Sequence, residues 1–355
     1  MNLVTKKVFL IATLVAIVGG IFYFESLRPK RSSIDNADIK VVEKAEKAKM
    51  YESAKELVDV QGFINSESFQ LTDYIGKKVI LIDFWTYSCI NCQRTTPYLN
   101  AWWDTYKDDG LLIVGVHTPE FEFEKKYDNV VKATENLGIK YPVVQDNNYS
   151  TWTAYKNRYW PHKYLIDIDG YIVYDHIGEG GYNETEQKIR ELLEERKIVL
   201  NESGGIDKGM AQPTGVQDVS ERPKSPEVYF GAFRNELLAN GERLTMGVQS
   251  FSSPTEVNTN YLYLDGNWNI QKEYAENTRA DDRIIFKFIA RRVNIVAESD
   301  EPAEIRILLN GKEIDKKIIQ DSQLYNLVEL SEQGEYLLEI IIEKPGLRAY
   351  TLTFG

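Results

Sequence analysis

The chain has 355 residues, 43% of them hydrophobic, enough for about two domains with real cores. A net charge of −12 argues against nucleic-acid binding, which calls for a basic face. Only two cysteines are present, so no framework of structural disulfides is available and each domain must be stable through its core.

At the amino terminus Lys6 and Lys7 precede residues 8–24, an uncharged stretch that at about 1.5 Å per helical residue just spans a thin bilayer. No small-x-small cleavage site follows, and Ile21, Phe22, Tyr23 and Phe24 read as an interfacial aromatic belt. Residues 1–24 are therefore expected to form an uncleaved signal-anchor, a transmembrane helix. Arg28, Lys30 and Arg31 offset the two lysines, so charge does not set its orientation. Residues 25–57 are polar with alternating charge, as in VVEKAEKAKMYESAKEL, and are expected to be a solvated stalk.

The run 78–85 reads as a buried strand, and the segment that follows repeats apolar residues at helical spacing through Tyr98, Leu99, Trp102, Trp103 and Tyr106. Cys89 and Cys92 thus open a helix, where free N–H groups and the helix dipole favour a thiolate. Cys89 is the candidate nucleophile, and Cys92, about one turn on, the candidate resolving thiol. A structural disulfide across so short a loop would add little stability. A zinc site would need about four ligands, and the scattered His117, His162 and His176 supply no second pair, so neither metal nor cofactor is expected.

Further along, 111–116 is a second continuous apolar strand, 129–137 a helix, 141–144 a strand and 152–155 a helix. A hairpin over 163–174 turns at Asp169-Gly170, and 184–196 is a closing amphipathic helix. This alternation implies an α/β domain over 58–200 with a sheet covered on both faces. Residues 201–225, rich in Gly, Ser, Pro and charge, are expected to be a linker with little contact across it. Beyond it, eight short alternating runs (260–264, 267–274, 283–290, 293–298, 304–309, 325–330, 336–343 and 349–354) predict an all-β sandwich of jelly-roll type over 226–355. Tyr263, Trp268 and Tyr274 are candidates to stack on a sugar ring, with core packing the favoured alternative.

The quoted features resemble the thioredoxin superfamily. Asp83 stands six residues before Cys89, Pro97 five after Cys92, and Pro161 just before a strand, at the place of the family's cis-proline. The wording FWTYSCINCQRTTPYL, GVHTPEFEFEK and NRYWPHKYLIDIDG resembles the DipZ-like branch of the TlpA-type thioredoxins, over roughly 58–197 and more loosely the C-terminal region. The resemblance implies a membrane-tethered, extracytoplasmic thiol:disulfide oxidoreductase with a carbohydrate-binding-like accessory module. Its substrates would be disulfides of exported proteins, cytochrome c or its maturation factors among them. The multi-helix electron carrier of DipZ-type proteins has no counterpart in the sequence, so electrons are expected from a separate membrane donor of the CcdA/DsbD type.

Asp83, inside an apolar strand, would be costly to bury charged, so a raised pKa and a proton-relay role for Cys92 are expected, with pairing to Lys78 the alternative. Trp160 and Pro161 are expected to offer backbone to an extended substrate, and Trp85 to wall the dithiol. Glu120 is a candidate second acid, with helix capping or plain exposure equally open, and His117 is expected to be structural. The Ile90-Asn91 pair brings no positive charge to hold a thiolate, which favours a reductase. The competing reading is a surface or wall-binding protein that uses the β-domain and keeps the dithiol as a redox sensor.

Overall fold

The computed structural model describes residues 41–206, 209–217 and 221–355; the anchor expected over 1–24 and the first part of the stalk lie outside them. Among the described residues no helix is long and apolar enough to cross a membrane.

The first domain contains helices α1 (Lys44–Met50), α2 (Ile90–Tyr106), α3 (Tyr127–Asn136), α4 (Ser150–Ala154) and α5 (Tyr182–Val199). Its strands are β1 (Glu52–Ser53), β2 (Gly62–Ile64), β3 (Val79–Trp85), β4 (Leu111–His117), β5 (Val143–Gln145), β6 (His162–Ile166) and β7 (Tyr171–Ile177). They form one sheet in the order β1-β7-β6-β3-β4-β5-β2, with β3 and β4 parallel and β6 antiparallel to β3. The central strands VILIDFW and LLIVGVH are buried along their whole length, as unbroken apolar runs require when both faces are covered. Alternation along β3 sends Val79, Leu81 and Trp85 towards α2 and α5, and Ile80, Ile82 and Phe84 to the opposite core. Asp83 shares the parity of the first set, so it lies on the cysteine side of the sheet.

Residues 44–57 correct the expected stalk. The Lys47 ammonium is buried 2.8 Å from both Asp167 and Asp169 and 2.6 Å from Glu195, and β1 pairs with β7. Glu56 also accepts the Leu71 and Thr72 N–H groups at 2.6 and 3.1 Å. The segment is therefore part of the domain. The expected linker is corrected too: Ile206 and Ala211 are buried, and Arg190 donates to the carbonyls of Ile206 and Gly209 at 3.3 and 3.4 Å, strapping the segment onto α5.

The second domain is all β: β8 (Val228–Tyr229), β9 (Gly247–Phe251), β10 (Leu262–Ile270), β11 (Ala275–Asn277), β12 (Asp282–Ser299), β13 (Ala303–Leu309), β14 (Lys312–Ile319), β15 (Gln323–Ile342) and β16 (Leu347–Phe354). Instead of the two separate sheets of a jelly-roll sandwich, one hydrogen-bonded sheet closes on itself as a partial barrel. β12 pairs with β10 through its first half and with β16 through its second, and β10, β11 and β16 complete the ring. Expected strand pairs 283–290/293–298 and 325–330/336–343 prove to be single long strands, β12 and β15, with register shifts beside Arg292 and Val293. Bulges bend a strand without ending it, so a sequence interruption there looks like a turn.

The two domains share a core. Val296 and Tyr350 belong to the same buried cluster as Trp85, Tyr87, Cys92 and Leu99, and the Tyr350 ring lies 5.1 and 4.8 Å from those of Phe121 and Phe123. Tyr87 donates to the Ser322 carbonyl at 3.1 Å, and Lys132 pairs with Asp321 at 2.8 Å. Tyr350→Ala is expected to cost about 3 kcal/mol of stability, as for other buried aromatics truncated to alanine. Urea unfolding followed by tryptophan fluorescence checks this; a loss below about 1 kcal/mol would mean that the interface contributes little.

Candidate active site

Cys89 is the N-cap of α2 and half-buried, whereas Cys92, one turn further in, is 2% exposed; both are free thiols. The Cys89 sulfur lies 4.0 Å from the carbonyl oxygen of Trp160, whose bond to Pro161 is cis. Pro97 interrupts the hydrogen bonding of α2, which nonetheless continues to Tyr106 because Trp102 and Tyr106 bond buried Glu186 of α5 at 3.1 and 2.6 Å. Two elements far apart in sequence thus frame the exposed sulfur: the start of α2 and the turn into β6.

Beneath the thiols, Asp83 is fully buried and its carboxyl is pushed up to about 7 by desolvation, partly offset by the Lys163 ammonium. Lys163 stands opposite Asp83 in the β3–β6 register and donates to the Gly178 carbonyl at 3.0 Å; burial lowers its own pKa, against the charge of Asp83. One Asp83 oxygen, Oδ1, has no hydrogen-bond partner. The Cys92 thiol is held well above its ordinary range by burial, by its hydrogen bond to Cys89 and by the nearby charges of Cys89 and Asp83. A proton acceptor poised near neutrality therefore lies beside a thiol that is hard to ionise, which is what a proton exchange between them requires.

Behind Cys89, the Glu124 carboxylate is buried and accepts four hydrogen bonds: Ser88 Oγ at 2.7 Å, Ser88 N–H at 3.3 Å, Glu120 N–H at 2.6 Å and Phe121 N–H at 2.9 Å. Burial raises its pKa, with the Glu120 charge adding to the rise, and hydrogen bonds from Ser88 and the Phe121 N–H among others counter it. It ties the turn carrying the nucleophile to the loop after β4. Asp167, Asp169 and Glu195 have the spacing of a cation site, but the Lys47 ammonium fills it.

Residues 53–175 match the AhpC/TSA family, and residues 225–355 match the family described as Thioredoxin like C-terminal domain. Thiol-disulfide oxidoreductase ResA from Halalkalibacterium halodurans is 32% identical over 138 residues, covering 39% of this chain and 70% of ResA. The chain belongs to the thioredoxin-like thiol-disulfide oxidoreductases. Thiol-disulfide oxidoreductase YkuV from Bacillus subtilis is 28% identical over 41% of this chain and 98% of its own length. Protein DipZ from Mycobacterium tuberculosis is 36% identical over 306 residues, 85% of this chain but 43% of DipZ, so the chain spans less than half of that relative.

Two of the residues expected at the site, Trp85 and Glu120, have the following surroundings. Trp85 is buried, edge-on to His117 at 5.2 Å, and its indole N–H is unpartnered; it underlies the site and offers no face to substrate. Glu120, the candidate second acid, bonds Arg234 at 2.7 Å and Tyr229 at 3.1 Å, both from the β-domain, and the fully buried acid of this loop is Glu124. His117 is fully buried with its pKa pushed down to about 3, hence neutral. The alternative partner for Asp83, Lys78, is replaced by Lys163 across the sheet. Trp268 and Tyr263 are buried, and the Tyr274 ring lies 5.2 Å from that of Tyr350, so these three form no sugar-stacking platform.

Proposed function

We propose that this chain reduces disulfides of exported proteins through Cys89 and Cys92, as an extracytoplasmic enzyme tethered by residues 1–24. The Cys89 thiolate attacks one substrate sulfur; the substrate S–S bond breaks, and the other substrate sulfur leaves as a thiolate and takes up a proton. Cys92 then gives its proton to Asp83 and attacks the Cys89 sulfur, which releases the second substrate thiol and leaves a Cys89–Cys92 disulfide. Two electrons have moved from the protein dithiol to the substrate. A separate membrane dithiol donor of the CcdA/DsbD type would return them, and cytochrome c or its maturation factors are the proposed clients. Trp160 would pair its backbone with the chain that carries the disulfide.

The observation that carries this reading is the pairing of a half-exposed sulfur at a helix start with a buried sulfur above an acid at about pKa 7. Equilibration of the full chain with glutathione buffers tests the direction. The dithiol is expected to be oxidised even where glutathione is mostly reduced; a pair that stays reduced in oxidised glutathione would identify an oxidase instead.

A further inference from the structure

A cavity of about 400 Å³ opens between the domains, large against the roughly 30 Å³ that a water molecule occupies. One wall is Trp160, the residue whose carbonyl lies 4.0 Å from the Cys89 sulfur, so the cavity and the thiol site adjoin. The Trp160 ring is fixed by its N–H to the Thr118 carbonyl at 3.0 Å and by the Trp152 ring at 4.4 Å. The facing wall comes from the β-domain. There Phe233 is 64% exposed, yet its backbone N–H donates to the Lys272 carbonyl at 3.0 Å. Gly231 lies so close to the Glu273 backbone that a Cβ would come within 2.2 Å of its carbonyl carbon. The aromatic ring is presented on an anchored turn.

Several polar groups between the walls are already used, and the Lys272 ammonium lies over the Phe233 ring, 5.8 Å from its centre. Arg234 pairs with Glu120 at 2.7 Å and lies 3.7 Å from the centre of the Tyr229 ring, and Glu273 accepts the Glu122 N–H at 2.9 Å. An incoming chain therefore meets Trp160 and Phe233 without having to break these pairs, and shares the Phe233 ring with the Lys272 ammonium. A polypeptide disulfide that brings its sulfur to Cys89 must lay its neighbouring residues over Trp160, and an apolar side chain there would be covered by Phe233. Single exposed apolar side chains are common on monomers, but one held on the rim of a cavity beside a nucleophile has a place for a ligand.

We infer that the β-domain builds the second wall of the substrate cleft, and that Phe233 with Trp160 selects extended polypeptides carrying an aromatic or branched apolar side chain next to the reactive cysteine. The inference rests on the oxidoreductase reading and gives the accessory domain a part in substrate choice.

Two oxidised decapeptide homodimers, identical except for Phe or Ser before the cysteine, provide the test with the full chain, alongside fluorescence titration of their cysteine-to-serine analogues. The Phe peptide is expected to be preferred about tenfold in kcat/KM and in affinity, the scale of covering part of an aromatic ring. The preference should collapse towards unity in Phe233→Ala and return in Phe233→Trp. Equal handling of the two peptides by the wild type, or an unchanged preference in Phe233→Ala, would overturn the inference. Preferential binding without any reduction would leave the cleft standing and sink the redox reading instead.

Discussion

Cys92→Ala is expected to stop turnover and to accumulate a mixed disulfide at Cys89 when the protein meets an oxidised client. Cys89 sits half-exposed at the N-cap of α2, where negative charge is favoured, while Cys92 is nearly sealed beneath it. Without the second sulfur the first attack still proceeds, but nothing within the protein can displace the bound client. Loss of a member of a reacting pair commonly costs roughly 10³-fold or more in turnover. Mass spectrometry of the non-reduced protein should find the adduct on Cys89, and Cys89→Ala should show none. Alkylation of the reduced wild type near neutral pH should modify Cys89 first; faster labelling of Cys92 would reverse the assigned roles.

Asp83→Asn is expected to change both rate and stability, in opposite senses. If Asp83 takes the proton of Cys92, its loss slows release of the mixed disulfide by about 10²-fold near neutral pH, the usual contribution of a positioned proton acceptor. Stability should rise. The folded-state pKa is about 7, above the ordinary value of 3.8, so between about pH 4 and 7 the unfolded chain releases a proton that the folded chain retains. Wild-type stability therefore falls as pH rises through this window, and the penalty is fully present above it. Asparagine removes that penalty. The counter-charge of Lys163, buried opposite, is already contained in that folded-state value. The net is about 4 kcal/mol of added stability at pH 8 and almost none at pH 4. Urea titrations at the two pH values measure it; the same difference at both would show that the Asp83 charge is not what costs stability.

The sequence by itself determined what short-range spacing and period encode. An unbroken apolar run is a strand buried on both faces, and β3 and β4 are such strands; apolar residues at helical spacing after Ser88 make α2, so the thiol pair had to stand at a helix start. Asp83 within β3 had to be buried for the same reason. Tertiary structure decided whatever depends on partners distant in the chain. Lys163 meets Asp83 through the β3–β6 register, which local pattern does not encode. Glu120 and Glu124 share one turn and one residue type, and only the fold turns the first to Arg234 of the β-domain and the second to the N–H groups behind Cys89. Trp85 faces inward because β3 alternates on a sheet whose two covered sides look alike in sequence. The polar composition of residues 44–57 and 201–225 suggested solvent, but Lys47 found three carboxylates and Arg190 found two carbonyls, and a charge that is paired and hydrogen-bonded can be buried. The joined core of Tyr350, Phe121 and Phe123 was likewise invisible: each is an ordinary apolar residue of its own domain until the domains meet, and that meeting puts Phe233 beside the thiol site.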